Sequence, residues 1–236
     1  MRQSPFIWLG SGRSRKRGVS DKGKMIDLAA RGGLPVPQGG IILDEFYRLC
    51  LSEGLIERVG RQVVVPDPIW LFEVLYRDIR FPRLKHSVAV RPATAVSSPQ
   101  HEQTFARLDV DFNNPQQMAG ALRKTWSDIL AVDPQLPMDL LIMTMVDTEE
   151  AGAATTCRDQ EEDKTLVFSE TDELTQGTIS LPKMRAFRGP TVGLPPFARR
   201  LQRLLDGVRR TFGAGDYVVD WVDDGQICWL IQVAPV

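Results

Sequence analysis

Apolar positions recur at helical spacing over residues 22–31, where Met25, Ile26 and Ala29 mark one face and Gly32-Gly33 provide a stop. The following Leu34-Pro35-Val36-Pro37 predicts an extended segment, because each proline fixes its own φ and biases its predecessor away from the α region. A short strand over Ile41–Leu43 leads into a helix that Asp44 can cap, with Phe46, Leu49 and Cys50 on its apolar side. Asp67-Pro68 opens another helix, carrying Trp70, Val74 and Leu75 and ending before Pro82. His86–Val90 reads as a buried strand ending at Arg91, residues 92–103 as a loop, and the alternation in QTFARLDVDF (103–112) as a strand. Pro115 begins a helix with Met118, Leu122, Trp126 and Ile129 on one face, and VDPQLP at 132–137 reads as a linker.

After the linker the pattern is that of strands. MDLLIMTMV (138–146) is a continuous apolar run, AGAATT (151–156) a second short strand, RDQEEDK (158–164) an acidic loop and TLVFSE (165–170) a third strand. Phe197, Leu201, Leu204, Leu205, Val208 and Phe212 share one face of an amphipathic helix. YVVDWV, a turn at Asp223–Gly225 and QICWLIQVAPV form a closing hairpin. Helices interspersed with mostly antiparallel hairpins predict an α+β fold in two lobes, residues 1–134 and 135–236.

Charge narrows the function classes. Lys and Arg number 29 against 30 Asp and Glu, a formal net charge of -1, so no overall field draws the chain to nucleic acid or to a membrane surface. No apolar run approaches the ~20 residues of a membrane helix. The apolar stretch Phe6–Leu9 is too short for a secretory signal, and the cytoplasm is the expected location. Cys50, Cys157 and Cys228 form no C-x-x-C pair and stand apart from His86 and His101, so they read as small core residues rather than as disulfide or zinc ligands. SGRSRKRG (11–18) is either a solvated basic arm or an anion-binding loop just ahead of Lys22.

Gly18, Gly23 and Lys24 satisfy most of the phosphate-loop pattern G-x-x-x-x-G-K, but Met25 stands where Mg²⁺ needs Ser or Thr, and RSRKR is no buried strand. A different pattern fits the same residues. Lys22-Gly23 lies twelve residues before Leu34, and GLPVPQG follows intact. This resembles the start of the ATP-binding domain of pyruvate phosphate dikinase and phosphoenolpyruvate synthase, G-G-K-G-x-N-L then A-G-L-P-V-P-x-G, with Ser20 and Asp21 in place of the two glycines and Met25 in place of Asn. VRPAT (90–94) resembles the next signature, V-R-S-S-A-T, and HEQTFARLDV (101–110) keeps the threonine of G-Q-x-x-T-x-L-x-V as Thr104. LIMTMVDTEEAGAATTCRD (141–159) resembles the adenine-hinge strand and its sequel, SETDELTQG (169–177) a degraded G-L-G-E-x-V-V-x-G, and VVDWVDDGQICWLIQVAP (218–235) the closing D-I-E-W hairpin with L-Q-x-R-P. The pieces run in family order from residue 20 to the end, in a chain shorter than the usual family domain.

The resemblance implies an ATP-grasp fold with mixed, mostly antiparallel sheets, whose two lobes close on ATP, and transfer of phosphate to a histidine on a separate domain. A partner protein or domain would then supply the acceptor. It implies phosphate contacts for Lys22 and Arg91, adenine reading by backbone groups of Met143, Thr144, Met145 and Val146, nucleotide contacts for Thr104 and Asp172, and Mg²⁺ ligation by Asp220 and Gln232. Asp220 stands where the family has Glu, one methylene longer. Other positions depart further: the family's arginine two residues after the glutamine is Ala234, the first Asp of D-I-E-W is Val218, and PATAVSSPQHEQ (92–103) lacks the glycines that let backbone N–H groups approach phosphates. Two expectations follow: a phosphotransferase using Mg²⁺·ATP with an impaired catalytic set, or a non-catalytic ATP-grasp module that binds a protein partner or a regulatory nucleotide.

Overall fold

The computed structural model describes residues 4–94, 106–168, 177–184 and 190–236. The chain forms two compact units, the first of residues 1–24 and 38–145, the second of residues 25–37 and 146–236. The division is therefore not a single cut, since the 25–37 segment belongs to the second unit although most of the first unit follows it.

The first unit holds a five-stranded sheet in the order β1 (Phe6–Trp8), β2 (Gly39–Ile42), β7 (Leu140–Thr144), β5 (Val88–Pro92), β6 (Arg107–Val110), and a small hairpin of β3 (Glu57–Val59) and β4 (Gln62–Val64). Every pairing is antiparallel. Three helices, α2 (Asp44–Ser52), α3 (Pro68–Glu73) and α4 (Pro115–Val132), complete it, and α1 (Asp21–Arg31) begins in it. Asp67 caps α3 by accepting from the Ile69 and Trp70 N–H groups at 2.9 and 3.1 Å, and a π-helical turn, Val74–Asp78, continues the helix. Asn114 caps α4 in the same way, ahead of Pro115.

Period-two alternation splits the central strands. Val88, Val90, Leu140, Ile142 and Ile42 point into a core with Phe46, Phe112, Leu122 and Trp126, all buried. The Trp126 indole satisfies its N–H on the Met138 carbonyl at 3.1 Å, so a large ring is buried without an orphaned donor. The expected cap at Asp44 is displaced by one residue. Leu43 holds the cap position, and Asp44, already helical, accepts from the Met138 N–H at 3.2 Å and pairs with Arg48 at 2.6 Å.

The second unit is a sheet in the order β10 (Gly177–Pro182), β9 (Glu162–Phe168), β8 (Glu150–Thr156), β11 (Tyr217–Asp223), β12 (Cys228–Pro235), again antiparallel throughout, with α5 (Pro196–Phe212) packed on β10, β11 and β12. The expected acidic loop is shorter than its composition suggests, because β9 starts at Glu162. Asp163 is buried there and pairs with Arg209 of α5. Trp221 stacks on Phe197 of α5 with ring centroids 6.1 Å apart and 11° between planes. It lies over Gly152, where an added Cβ would stand 2.8 Å from the indole and 2.1 Å from the Leu166 carbonyl oxygen. Asp223, fully buried, takes a bidentate pair of hydrogen bonds from Arg200 at 2.5 and 2.7 Å, and this partnership raises the Arg200 pKa above its usual value. Leu34 fills the space over Gly207, and the Leu230 N–H donates to the Pro35 carbonyl at 2.7 Å, which fastens the 25–37 segment to α5 and β12. Among the described residues, no helix is long and apolar enough to cross a membrane.

One buried carboxylate links three stretches of the first unit. Asp139 is 3% exposed and accepts from the Asp44 N–H at 2.8 Å and the Ser20 N–H at 3.4 Å, while its own carbonyl accepts from the Ala93 N–H at 2.9 Å. Burial raises its pKa above the ordinary carboxylate range, the two backbone donors opposing that shift. A raised folded-state pKa means that ionisation of Asp139 costs stability at neutral pH. Relative to Asp139→Asn, the natural chain should gain stability as pH falls through that raised pKa. Asp139→Ala, which strands the Asp44 N–H, should cost about 1–3 kcal/mol at neutral pH in urea unfolding.

Candidate functional site

The two residues expected to contact phosphate, Lys22 and Arg91, both belong to the first unit. The Ser20 hydroxyl donates to the Ala93 carbonyl, tying the chain two residues before Lys22 to the chain two residues after Arg91. Gly23 then packs without a side chain against β2 and residue 93: an added Cβ would lie 2.6 Å from Val19 Cγ1, 3.2 Å from Ile41 Cδ1 and 3.6 Å from Ala93 Cβ. Gly23 is thus explained by close approach rather than by a phosphate loop. Lys24 reinforces the point, because its ammonium pairs with Asp21 at 3.1 Å one helical turn back.

Lys22 stands in the first turn of α1 and is half-buried. Arg91 is half-buried on β5, directly opposite Leu141 of β7. Its Nη2 lies 3.4 Å from the Met143 sulfur, and Met143 is 2% exposed. Arg91 and Met143 therefore share one face of the sheet, as the register of Ala89 with Met143 requires. The opposite face is the main apolar core, and on its own face Arg91 lies among the buried side chains of Leu141, Met143 and Ile41.

The end of β7 bears on adenine reading. The Thr144 N–H is taken by the Gln38 carbonyl at 2.8 Å and the Met145 N–H by the Ser87 carbonyl at 2.8 Å. The Thr144 and Met145 donors are committed to the protein itself. Met145 is 36% exposed and Val146 half-buried.

In the second unit, Asp220 of β11 pairs directly with Gln232 of β12, and both are half-buried. Val219, Trp221 and Asp223 point to the buried face and Val218, Asp220 and Val222 to the other, so Asp220 and Gln232 present two oxygen donors side by side on the face away from the Phe197–Trp221 stack. Mg²⁺ favours oxygen ligands and keeps water and phosphate oxygens in its shell, so this pair fits part of such a site. Among the described residues, no group of three His, Cys, Asp or Glu side chains is placed to hold a metal ion. The hairpin register adds an observation that no motif shows: Val218 stands opposite Ala234. The two positions where the resemblance expects an acid and an arginine are cross-strand partners. Thr104 and Asp172 lie outside the described residues.

Sequence reasoning missed Ser20 and Asp139. Ser20 reads as a lost glycine, yet its hydroxyl carries the link to Ala93, and Asp139 is submerged in an apolar run.

No family model matches the chain, and no curated protein matches it. Solved structures do. Over 95% of its length and 96% of the other chain, it superposes on a dinucleotide-forming acetyl-coenzyme A synthetase of Ca. Korarchaeum cryptofilum, in complex with coenzyme A, acetyl-coenzyme A and a phosphorylated phosphohistidine segment, with TM-score 0.51 and 10% identity. The fold is an ATP-grasp. Weaker likenesses include the biotin carboxylase of Campylobacter jejuni (TM-score 0.48, 13% identity, 92% of this chain and 40% of that one) and the ATP complex of D-alanine–D-alanine ligase from Bacillus anthracis (TM-score 0.47, 12% identity, 91% and 54%). The chain spans 40–58% of the length of the amino-acid ligase structures it matches.

The packing around Gly23 separates the two readings of the GK dipeptide. Gly23→Ala should destabilise the chain by about 1–3 kcal/mol through the collision with Val19. Lys24→Met, losing one exposed ion pair, should change stability by less than about 0.5 kcal/mol in the same denaturation assay.

Proposed function

We propose that this ATP-grasp chain is a nucleotide-binding domain for Mg²⁺·ATP, similar in role to the ATP-binding domain of the dikinase and synthase family. The observation that supports this reading is the Ser20–Ala93 bond, which ties the segment just before Lys22 to the segment just after Arg91 in the first unit. Two cations so placed neutralise phosphate charge, the lysine as a compact point charge and the arginine through its planar fork. Adenine reading falls to the Met145 carbonyl and the Val146 N–H, given the commitments of the Thr144 and Met145 donors. Thr104 and Asp172 keep their nucleotide contacts from the resemblance alone. Asp220 and Gln232 would hold Mg²⁺, whose chemistry is to neutralise the charge that develops on transferring phosphate oxygens. The phosphate acceptor is a separate protein or domain. The Korarchaeum structure, with its phosphorylated phosphohistidine segment, is a precedent for an acceptor of that chemistry.

A second reading, binding without turnover, is favoured by the Val218–Ala234 pair. A cation aimed at the transferring phosphate is commonly worth several kcal/mol in the transition state. Here that arginine and the acid opposite it are both absent. Loss of both together avoids leaving a charge unpaired in a half-covered hairpin.

A thermal-shift experiment tests binding. Mg²⁺·ATP at a hundred times its dissociation constant adds about 2.7 kcal/mol, a rise of about 5–10 °C for a chain of this size. The rise should exceed that given by AMP and should shrink in Lys22→Ala and Arg91→Ala chains whose ligand-free midpoints are unchanged. No rise at millimolar ATP would overturn the proposal. Turnover separates the two readings. Mg²⁺-dependent ATP consumption by the natural chain, absent in Lys22→Ala, supports the phosphotransferase. If the natural chain is silent while Val218→Asp/Ala234→Arg gains activity that Ala234→Arg alone does not, the binding-only reading holds.

A further inference from the structure

The basic stretch Ser11–Gly18 is not absorbed by the nucleotide reading, and it is folded. Ser14–Lys16 form a 3₁₀ turn, with the Lys16 and Arg17 N–H groups donating to the Arg13 and Ser14 carbonyls at 3.1 and 3.3 Å. Gly12 and Gly18 bracket the turn at φ of 67° and 65°, a backbone state that glycine adopts without strain. Ser14 at its centre is fully buried. Arg17 is pinned from outside by Glu45, whose carboxylate takes Nη2 at 2.5 Å and leaves the side chain only 11% exposed.

This turn lines a cavity of about 350 Å³ with Arg13, Lys16 and Arg17, and Ser4 completes the wall. Among the described residues, no carboxylate lines it. Two buried polar atoms there, Arg17 Nε and Ser4 Oγ, have no hydrogen-bond partner among the described residues. A buried donor without a partner costs about 1–3 kcal/mol, and a guanidinium N–H beside a hydroxyl is a donor pair suited to an oxyanion. Arg13 and Lys16 make no ion pair among the described residues, and both side chains are exposed. Other candidates carry less. The neighbouring cavity of about 470 Å³ mixes Arg48 and Arg58 with Asp44, Glu45 and Asp139, and nothing shows what would cover the exposed apolar side chains of Ile69 and Trp70.

We propose that Arg13, Lys16, Arg17 and Ser4 form a second anion site, for phosphate or pyrophosphate, separate from the Lys22 and Arg91 positions. Arg17, held by Glu45, is the fixed element and donates through Nε; Ser4 donates through its hydroxyl; Arg13 and Lys16 close over the anion from the exposed side. The site does not depend on the nucleotide reading, because none of its residues is assigned to ATP.

The test is calorimetric titration of inorganic pyrophosphate, and separately of inorganic phosphate, into the full chain at low salt. Saturable binding is expected, weakened at least tenfold in Arg13→Ala/Lys16→Ala with an unchanged thermal midpoint, and retained in Lys22→Ala. The double variant Arg123→Ala/Lys124→Ala removes the same charge from an exposed part of α4 and should bind as the natural chain does. Stronger binding of pyrophosphate than of phosphate would assign the site to the diphosphate, and the reverse order to the monophosphate. Equal weakening in both double variants would mean nonspecific attraction and overturn the proposal. Loss in Lys22→Ala alone would place the anion in the nucleotide site and overturn it equally, as would no binding of either probe.

Discussion

A carboxylate removed from water organises the first unit. Desolvation penalises the charge of Asp139, and the penalty is tolerable only because backbone N–H groups come to it. One comes from the first turn of α2, where unsatisfied donors and the positive end of the helix favour an anion. The other comes from Ser20, just ahead of α1. The Asp139 backbone holds Ala93, and the Thr94 hydroxyl holds the Pro137 carbonyl at 2.9 Å. Three segments far apart in sequence are thus registered on a single residue, two of them through its side chain and one through its backbone, close to Lys22 and Arg91 in the chain.

The second unit solves a similar problem with a full ion pair. Asp223 is buried under α5 and bidentate to Arg200, which fixes the helix to the end of β11. Asp220, three residues earlier, points to the other face beside Gln232. One strand therefore carries a structural carboxylate on its packed face and a candidate ligand on its open face, and alternation alone keeps the two roles apart. The apolar Val218–Ala234 pair occupies that same face, on the side of the strand away from the Trp221 core.

Much of the fold was legible in the chain. α4 and α5 follow from Trp126 and Leu205 in their helical stripes, and the β11–β12 hairpin from alternation around Asp223–Gly225. The α+β class followed from their mixture. β1, the β3–β4 hairpin and β10 were not legible: each is three to six residues long, too short to set a period. Asp163 hid the start of β9, since an acidic residue buried by a distant arginine looks like a loop residue until the arginine is found. Lys22, Arg91, Asp220 and Gln232 could be named only through the family resemblance. Local pattern offered the wrong lysine, Lys24, with the better-looking glycine. The supporting residues Ser20 and Asp139 were invisible because their partners are backbone groups, which leave no trace in side-chain chemistry.

The division of the chain has a consequence for how it comes to exist. Residues 25–37 belong to the second unit but are synthesised before nearly all of the first. Leu34 waits for Gly207, and Pro35 for Leu230, so this strap remains without its partners until about 200 residues after it have been made. Contacts of such sequence separation are slow to form, and strands left unpaired in the interval are open to aggregation. The residues of the first unit are complete by Met145, whereas the second closes only later, around a piece of chain made before most of the first. Neither unit corresponds to a continuous fragment, so the two form a single unit of inheritance: recombination that brought in a foreign C-terminal half would bring it without its strap.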